Sequence, residues 1–168
     1  MDDFQKTLQA WQMFYATVAT ASATLSGLLF VSLSLHRDNL KGTRGQVILA
    51  TARRTFSNFL YVLMIALVFL VPHQAPFGLT IALLVLGLSR GAGLIREARL
   101  YLKPHRGRVA AYLILREVAL PSLAAIGLIA VGIAVAFGNS EAIFVLVGVI
   151  AALLIIACWN AWLLLVEA

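Results

Sequence analysis

The residues of this sequence that could do chemistry are small or hydroxylated, and they recur along one uncharged stretch near the N-terminus. Between residues 16 and 27 nearly every position is Ala, Thr, Ser or Gly. At about 100° per residue these side chains share a broad helix face. The residues singled out on it are Thr17, Thr20, Ala23, Thr24 and Gly27. Small residues let helix backbones approach closely, and hydroxyls offer water or ions a polar wall.

Three interpretations of this face are open at the level of sequence. The helix could be surrounded by other helices of its own chain, it could border a pore in a symmetric oligomer, or it could pair with a second copy. The chain has five apolar stretches long enough for membrane helices, and five helices form a thin bundle with little room to surround one member completely. This limit favours self-association.

A second chemical feature is a charged residue inside an apolar stretch. Residues 77–89 are uncharged and make about 20 Å of helix at 1.5 Å per residue, which is shorter than a hydrocarbon core of ~30 Å. The helix must therefore continue past Arg90 to about Arg96. An ionisable residue at that depth is a functional candidate, and its expected partner is Glu117 or Glu97. The alternative is that the Arg90 side chain reaches the lipid phosphates.

The sequence lacks the residue patterns of an enzyme. No HExxH or CxxC motif and no phosphate-binding glycine loop occurs, and the single Cys158 excludes an intramolecular disulfide. His36, His73 and His105 lie in separate segments, so a shared metal site is not expected. We therefore predict no catalytic residue, no metal and no cofactor.

The composition indicates whether the chain is a water-soluble protein or a membrane protein. Of the 168 residues, 62% are hydrophobic and 12% are charged, whereas a soluble domain has about 45–50% apolar and about 25% charged residues. These values exclude a soluble globular protein, a disordered tail and a nucleic-acid-binding domain. The chain is predicted to be an all-α, polytopic transmembrane helical bundle that forms a single membrane domain over residues 1–168.

Five apolar stretches approach or exceed the ~20 residues that a helix needs to cross a bilayer. They lie at about residues 13–35, 55–71, 77–96, 119–137 and 142–166. Pro72 and Pro76 separate the second stretch from the third, and a turn at residues 138–141 separates the fourth from the fifth, so both pairs are expected to form helical hairpins. The main alternative has four spans, with the first stretch lying flat on the membrane.

Positive charges set the orientation. Of the 13 Lys and Arg, only Lys6 precedes the first span, five lie between the first and second spans, and seven lie between Arg90 and Arg116. Positive residues mark the cytoplasmic side. The N-terminus is thus predicted outside and the C-terminus in the cytoplasm, with basic cytoplasmic loops at 36–54 and 97–118.

The arginines of the cytoplasmic side have two possible roles. They are expected to bind anionic lipid head groups, or to form a positive vestibule that concentrates anions at a pore mouth. The residues concerned are Arg53, Arg54, Arg96, Arg99, Arg106, Arg108 and Arg116.

Aromatic residues are expected at both membrane interfaces. Trp11 and Tyr15 lie near the outer end of the first span, and Trp159 and Trp162 lie near the inner end of the fifth. This distribution is typical of interfacial aromatic belts.

Two short stretches resemble a known group of proteins. Residues 26–35 (SGLLFVSLSL) and 70–74 (LVPHQ) are similar to those of a widespread group of small, uncharacterised bacterial integral membrane proteins. Some members of that group are labelled modulator of the FtsH-type membrane protease. The resemblance covers about the first half of the chain and implies a multi-pass protein of the bacterial inner membrane.

The sequence as a whole predicts a homo-oligomeric membrane protein that acts as a small ion channel or pore, with the first span near the symmetry axis. The alternative is a non-conducting scaffold or regulator of a membrane partner such as a protease. A secondary transporter is a third possibility, and it is disfavoured because the second, fourth and fifth spans offer almost no ionisable residue at mid-depth. The expected partners are anionic lipids, further copies of the chain and a small ion, but not nucleic acid.

Overall fold

The computed structural model describes residues 3–35, 42–101 and 120–167. Within these ranges the protein is all-helical and has five α-helices. They are α1 (Asp3–Leu35), α2 (Gly42–Leu70), α3 (Pro76–Tyr101), α4 (Leu120–Ala136) and α5 (Ile143–Glu167), and a short 3-10 turn (Ser140–Ala142) precedes α5.

Four of these helices are long and apolar enough to cross a membrane. Their apolar segments are Phe4–Leu35, Ile48–Leu70, Pro76–Arg96 and Ile143–Leu164. The apolar segment of α4, Ser122–Ala136, is shorter. The predicted fold class, an all-helical protein with several membrane-compatible helices, is therefore confirmed.

Two helices extend well beyond the predicted spans. α1 begins at Asp3 rather than near Met13, and α2 begins at Gly42 rather than near Thr55. Residues 42–54 belong to the predicted basic loop 36–54 and are helical, because charged residues such as Arg53 are good helix formers and no proline interrupts the segment. The second predicted loop, 97–118, begins inside α3, and its residues 102–118 lie outside the described residues.

The chain forms two compact units. The first contains Met1–Pro72 and Ile150–Ala168, and the second contains His73–Val149. In the first unit the Tyr15 ring stacks on Phe69 with ring centroids 4.2 Å apart. Further along α1, Leu29 and Leu33 pack with Ile48, Ala52 and Leu164. Because Tyr15 meets the end of α2 and Leu29 meets its beginning, α1 and α2 are antiparallel.

In the second unit, glycines bring α3 and α4 close together. A Cβ atom at Gly87 of α3 would lie 2.6 Å from the Ile129 side chain and 3.3 Å from the Ala125 carbonyl oxygen of α4. A Cβ atom at Gly132 of α4 would lie 3.3 Å from the Leu83 side chain and 3.4 Å from the Leu84 side chain of α3. The residue pairs run in opposite directions along the two helices, so α3 and α4 are also antiparallel.

The end of α4 is a glycine cap, in the turn that the sequence predicts. Gly138 has φ +82°, which is the left-handed conformation that glycine adopts without steric cost. Its N–H donates to the Val135 carbonyl at 3.0 Å, and the Asn139 N–H donates to the Ala134 carbonyl at 3.0 Å. This pair of bonds is the Schellman motif, which satisfies carbonyls that a helix end leaves without partners.

Replacing Gly138 by alanine is expected to lower the stability of the protein by about 1–2 kcal/mol, because a Cβ atom disfavours the left-handed conformation. Thermal unfolding in detergent measures the effect. The matched control is His73→Gly, since His73 is a non-glycine residue with φ 55°, and this variant should gain stability. Equal melting temperatures for Gly138→Ala and the unaltered protein would contradict the role of the cap.

Candidate functional site

The candidate site is the surface of α1 formed by Thr17, Thr20, Ala23, Thr24 and Gly27, which we call the small face. The structure leaves all five residues exposed. A Cβ atom at Gly27 would have no heavy atom within 4 Å. The buried side chains of α1, among them Tyr15, Val18, Ser22 and Leu29, lie on the opposite side of the helix, toward α2. Within the described part of the chain, nothing covers the small face.

Burial divides the small residues of α1 into two sets. Ala19, Ala23 and Gly27 follow one another at intervals of four, yet Ala19 is buried while Ala23 and Gly27 are exposed. The large apolar residues are divided as well, since Leu29 is buried and Leu28 is 61% exposed. Contact with α2 therefore follows a strip that includes some small residues and leaves out some large ones.

The threonine hydroxyls of the small face are all bonded within the helix. Thr17 Oγ1 donates to the Met13 carbonyl at 2.9 Å, Thr20 Oγ1 to the Ala16 carbonyl at 3.0 Å, and Thr24 Oγ1 to the Thr20 carbonyl at 2.9 Å. Such bonds to the preceding turn use the hydroxyl proton. The face consequently presents methyl groups and oxygen lone pairs, with its donor protons directed into the helix.

Large apolar residues flank the small face at both ends. Met13 lies one turn before Thr17, and Val31 lies one turn after Gly27, and both are exposed. Exposure of apolar surface carries no penalty in lipid, so it does not by itself indicate an interface. The narrow section between Met13 and Val31 is different, because a second helix can approach the α1 backbone closely there.

Arg90 is half-buried in the second unit. The helical period places it on the same side of α3 as the buried residues Leu83, Gly87 and Leu94. That side packs against α4, so Arg90 borders the α3–α4 interface. The expected partner Glu117 lies outside the described residues, as does the side chain of the alternative partner Glu97.

The arginines predicted to bind lipid head groups are described only in part. Arg53 and Arg96 are exposed, and Arg54 is half-buried and engaged in an interaction. Arg99 belongs to α3, but its side chain lies outside the described residues. The remaining residues of this set, Arg106, Arg108 and Arg116, also lie outside them.

Tyr15 has a different position from the one predicted. Instead of lying in an interfacial belt it is fully buried, because its ring stacks on Phe69 at an interplanar angle of 10°. The Phe14 ring meets it edge-on at a centroid distance of 5.3 Å. Trp159 and Trp162 are exposed, as interfacial residues would be.

Sequence reasoning missed most of a set of buried polar residues in the first unit. Ser22 and Thr55 are fully buried, and Asn58 and Asn160 are 4% and 7% exposed. Asn160 is the one strongly polar residue of the fifth predicted span, which predicts a helix–helix hydrogen bond, whereas the sequence pattern does not single out Ser22, Thr55 and Asn58. A polar residue recurring on the apolar side of a membrane helix is the signal that could have identified them.

Comparison with known proteins identifies no relative. The chain matches no protein-family model, no curated protein and no solved structure at a significant level. Among the described residues, no group of three or more His, Cys, Asp or Glu side chains could hold a metal ion.

Proposed function

We propose that this protein is a homo-oligomeric integral membrane protein whose protomers associate through the small face, and that the assembled α1 helices border a small ion-conducting pore. The observation that carries the proposal is the exposure of Thr17, Thr20, Ala23, Thr24 and Gly27 on the side of α1 away from α2. In lipid the hydrophobic effect does not drive helices together. Association depends instead on van der Waals packing, which small residues allow because the helix backbones can approach closely.

The exposed surfaces of the other helices include no threonine among the described residues, although α5 also leaves small residues such as Gly148 exposed. The outward residues of α3 include Ile81, Val85 and Leu88, and those of α5 include Phe144 and Ile155. Large apolar side chains of this kind suit contact with lipid chains. The exposed threonines therefore single out α1 as the helix that meets another polar or helical surface.

The chemistry of the small face supports a pathway for ions. Oxygen lone pairs remain on Thr17, Thr20 and Thr24 after their protons have been donated within the helix. Rings of such oxygens around a symmetry axis can replace part of the hydration shell of an ion.

We further propose five spans, with the N-terminus outside and the C-terminus in the cytoplasm of a bacterial inner membrane. The fifth crossing is α4, which has 17 residues, about 26 Å of helix. Its contacts at Gly87 and Gly132 align Leu120 with about residue 95 of α3 and Ala136 with about residue 79. By this alignment α4 covers nearly the same depth as the apolar segment Pro76–Arg96. The one-sided Lys and Arg distribution supports the orientation.

Recording from the purified protein in planar bilayers tests conduction. We expect single-channel currents, and we expect Thr24→Val to lower the unitary conductance several-fold, because valine keeps the shape of threonine and removes its oxygen. The matched control is Ser89→Ala, which removes an exposed hydroxyl from α3 that donates to the Leu86 carbonyl and should leave the conductance unchanged.

A non-conducting scaffold or regulator is the second candidate, and a specific observation favours it. The threonine hydroxyl protons are already bonded within the helix. The small face can therefore pack against a partner helix, with water excluded, and leave no hydrogen-bond donor unsatisfied. An oligomer that forms but carries no current at any voltage would rule out the pore and support the scaffold.

A further inference from the structure

Among the serine and threonine hydroxyls of α1, that of Ser22 behaves unlike the others. Thr17, Thr20, Thr24, Ser26 and Ser34 each donate to the carbonyl four residues earlier. Ser22 is fully buried, and its Oγ has no hydrogen-bond partner. A buried hydroxyl without a partner loses its hydrogen bonds to water and gains none in return, so such a group calls for an explanation.

Ser22 lies opposite a polar turn of α2. Tyr15, seven residues earlier, meets Phe69, and Leu29, seven residues later, packs with Ile48 and Ala52. Because α1 and α2 are antiparallel, Ser22 falls midway between these contacts. The midpoint on α2 is near residues 58–62.

This part of α2 contains a buried polar side chain. Asn58 is 4% exposed, and Phe59 beside it is 1% exposed. An asparagine amide has two donor hydrogens and an acceptor oxygen with two lone pairs, so it retains hydrogen-bonding capacity beyond an interaction it already makes. A buried amide and a buried hydroxyl thus lie in one layer of the α1–α2 interface.

We propose that a water molecule is bound in this layer, between Ser22 and Asn58. Ser22 Oγ donates its proton to the water, and the water donates to the Asn58 amide oxygen. Buried waters characteristically make two to four such bonds to polar groups that lack other partners. The site lies on the side of α1 away from the small face, so it does not depend on the proposed pore.

Tyr15 provides the contrasting case on the same side of the helix. Its hydroxyl is also buried without a partner, but its ring stacks on Phe69 and meets Phe14 edge-on. Residues 62–70 of α2 include no polar side chain that could hold a water there. Water is not expected beside Phe69, which therefore serves as a dry reference residue.

Radiolytic labelling in water enriched in oxygen-18 tests the proposal on the full-length protein in lipid nanodiscs. Hydroxyl radicals formed from a bound water oxidise the side chains nearest to it, even when these are buried. We expect Phe59 to be labelled several-fold more than Phe69, as resolved by tandem mass spectrometry. Ser22→Ala should lower the labelling of Phe59 to the level of Phe69. Ser26→Ala, one turn away and bonded to the Ser22 carbonyl, should leave it unchanged.

Equal labelling of Phe59 and Phe69 in the unaltered protein, or labelling of Phe59 that survives Ser22→Ala, would overturn the proposal. The melting temperature of Ser22→Ala provides a second readout, because it falls if the water is present and rises if the hydroxyl is dry. If the water is present, Ser22→Ala removes its hydrogen bonds and lowers the melting temperature by about 2–4 °C. A higher melting temperature for Ser22→Ala would show that the hydroxyl is dry, and would also overturn the proposal.

Discussion

Replacing Gly27 by leucine is expected to dissociate the oligomer while the protomer stays folded. A Cβ atom at Gly27 meets nothing within 4 Å, so the added side chain finds space in the protomer. The same side chain fills the surface that a partner helix must approach. We expect the association constant to fall at least tenfold, which corresponds to about 1.4 kcal/mol. Fluorescence energy transfer between labelled protomers in lipid vesicles measures it.

The matched control is Gly148→Leu. Gly148 lies on α5, is exposed and likewise has nothing within 4 Å of a Cβ atom, but it is not part of the small face. Association should therefore be unchanged in Gly148→Leu. If both variants weaken association equally, or if neither does, the small face is not the interface.

Replacing Gly87 by valine is expected to have the largest effect on the stability of the second unit. The atoms within 3.3 Å of a Cβ atom there include the carbonyl oxygen of Ala125 and the backbone nitrogen of Ile129. Backbone atoms cannot move aside as a flexible side chain does, so α3 and α4 must separate. Overpacking of this kind typically costs about 1–3 kcal/mol, and contact with backbone places Gly87→Val at the upper end.

Thermal unfolding of Gly87→Val beside Gly91→Val measures this effect. Gly91 stands one turn later on the same helix and has nothing within 4 Å of a Cβ atom. We expect a lowered melting temperature for Gly87→Val and a nearly unchanged one for Gly91→Val. A tolerated valine at position 87 would contradict the close contact between α3 and α4.

The helices themselves could be predicted because hydropathy and length largely decide which segments span a membrane. Their ends could not be predicted in the same way. A change from apolar to charged residues at Arg53 and Arg54 moves the chain out of the hydrocarbon but does not end a helix. Only a residue such as Pro72, or a capping glycine such as Gly138, ends one locally.

At the candidate site, too, one part could be predicted from the sequence and another part could not. The sequence identifies the small residues of α1, but their order cannot reveal which of them meet α2. That choice depends on long-range packing, above all the stacking of Tyr15 on Phe69 and the contacts of Leu29. As a result Ala19 and Ser22 are buried, whereas Ala23 and Thr24 remain exposed.

Cysteine crosslinking in native membranes tests the central claim, association through the small face, most directly. In a Cys158→Ser background, Thr24→Cys places one thiol on the small face, and Val85→Cys places one on the exposed side of α3. Mild oxidation should join protomers that carry Thr24→Cys into disulfide-linked dimers and should leave those that carry Val85→Cys monomeric. Monomeric Thr24→Cys under conditions that crosslink Val85→Cys would contradict the claim.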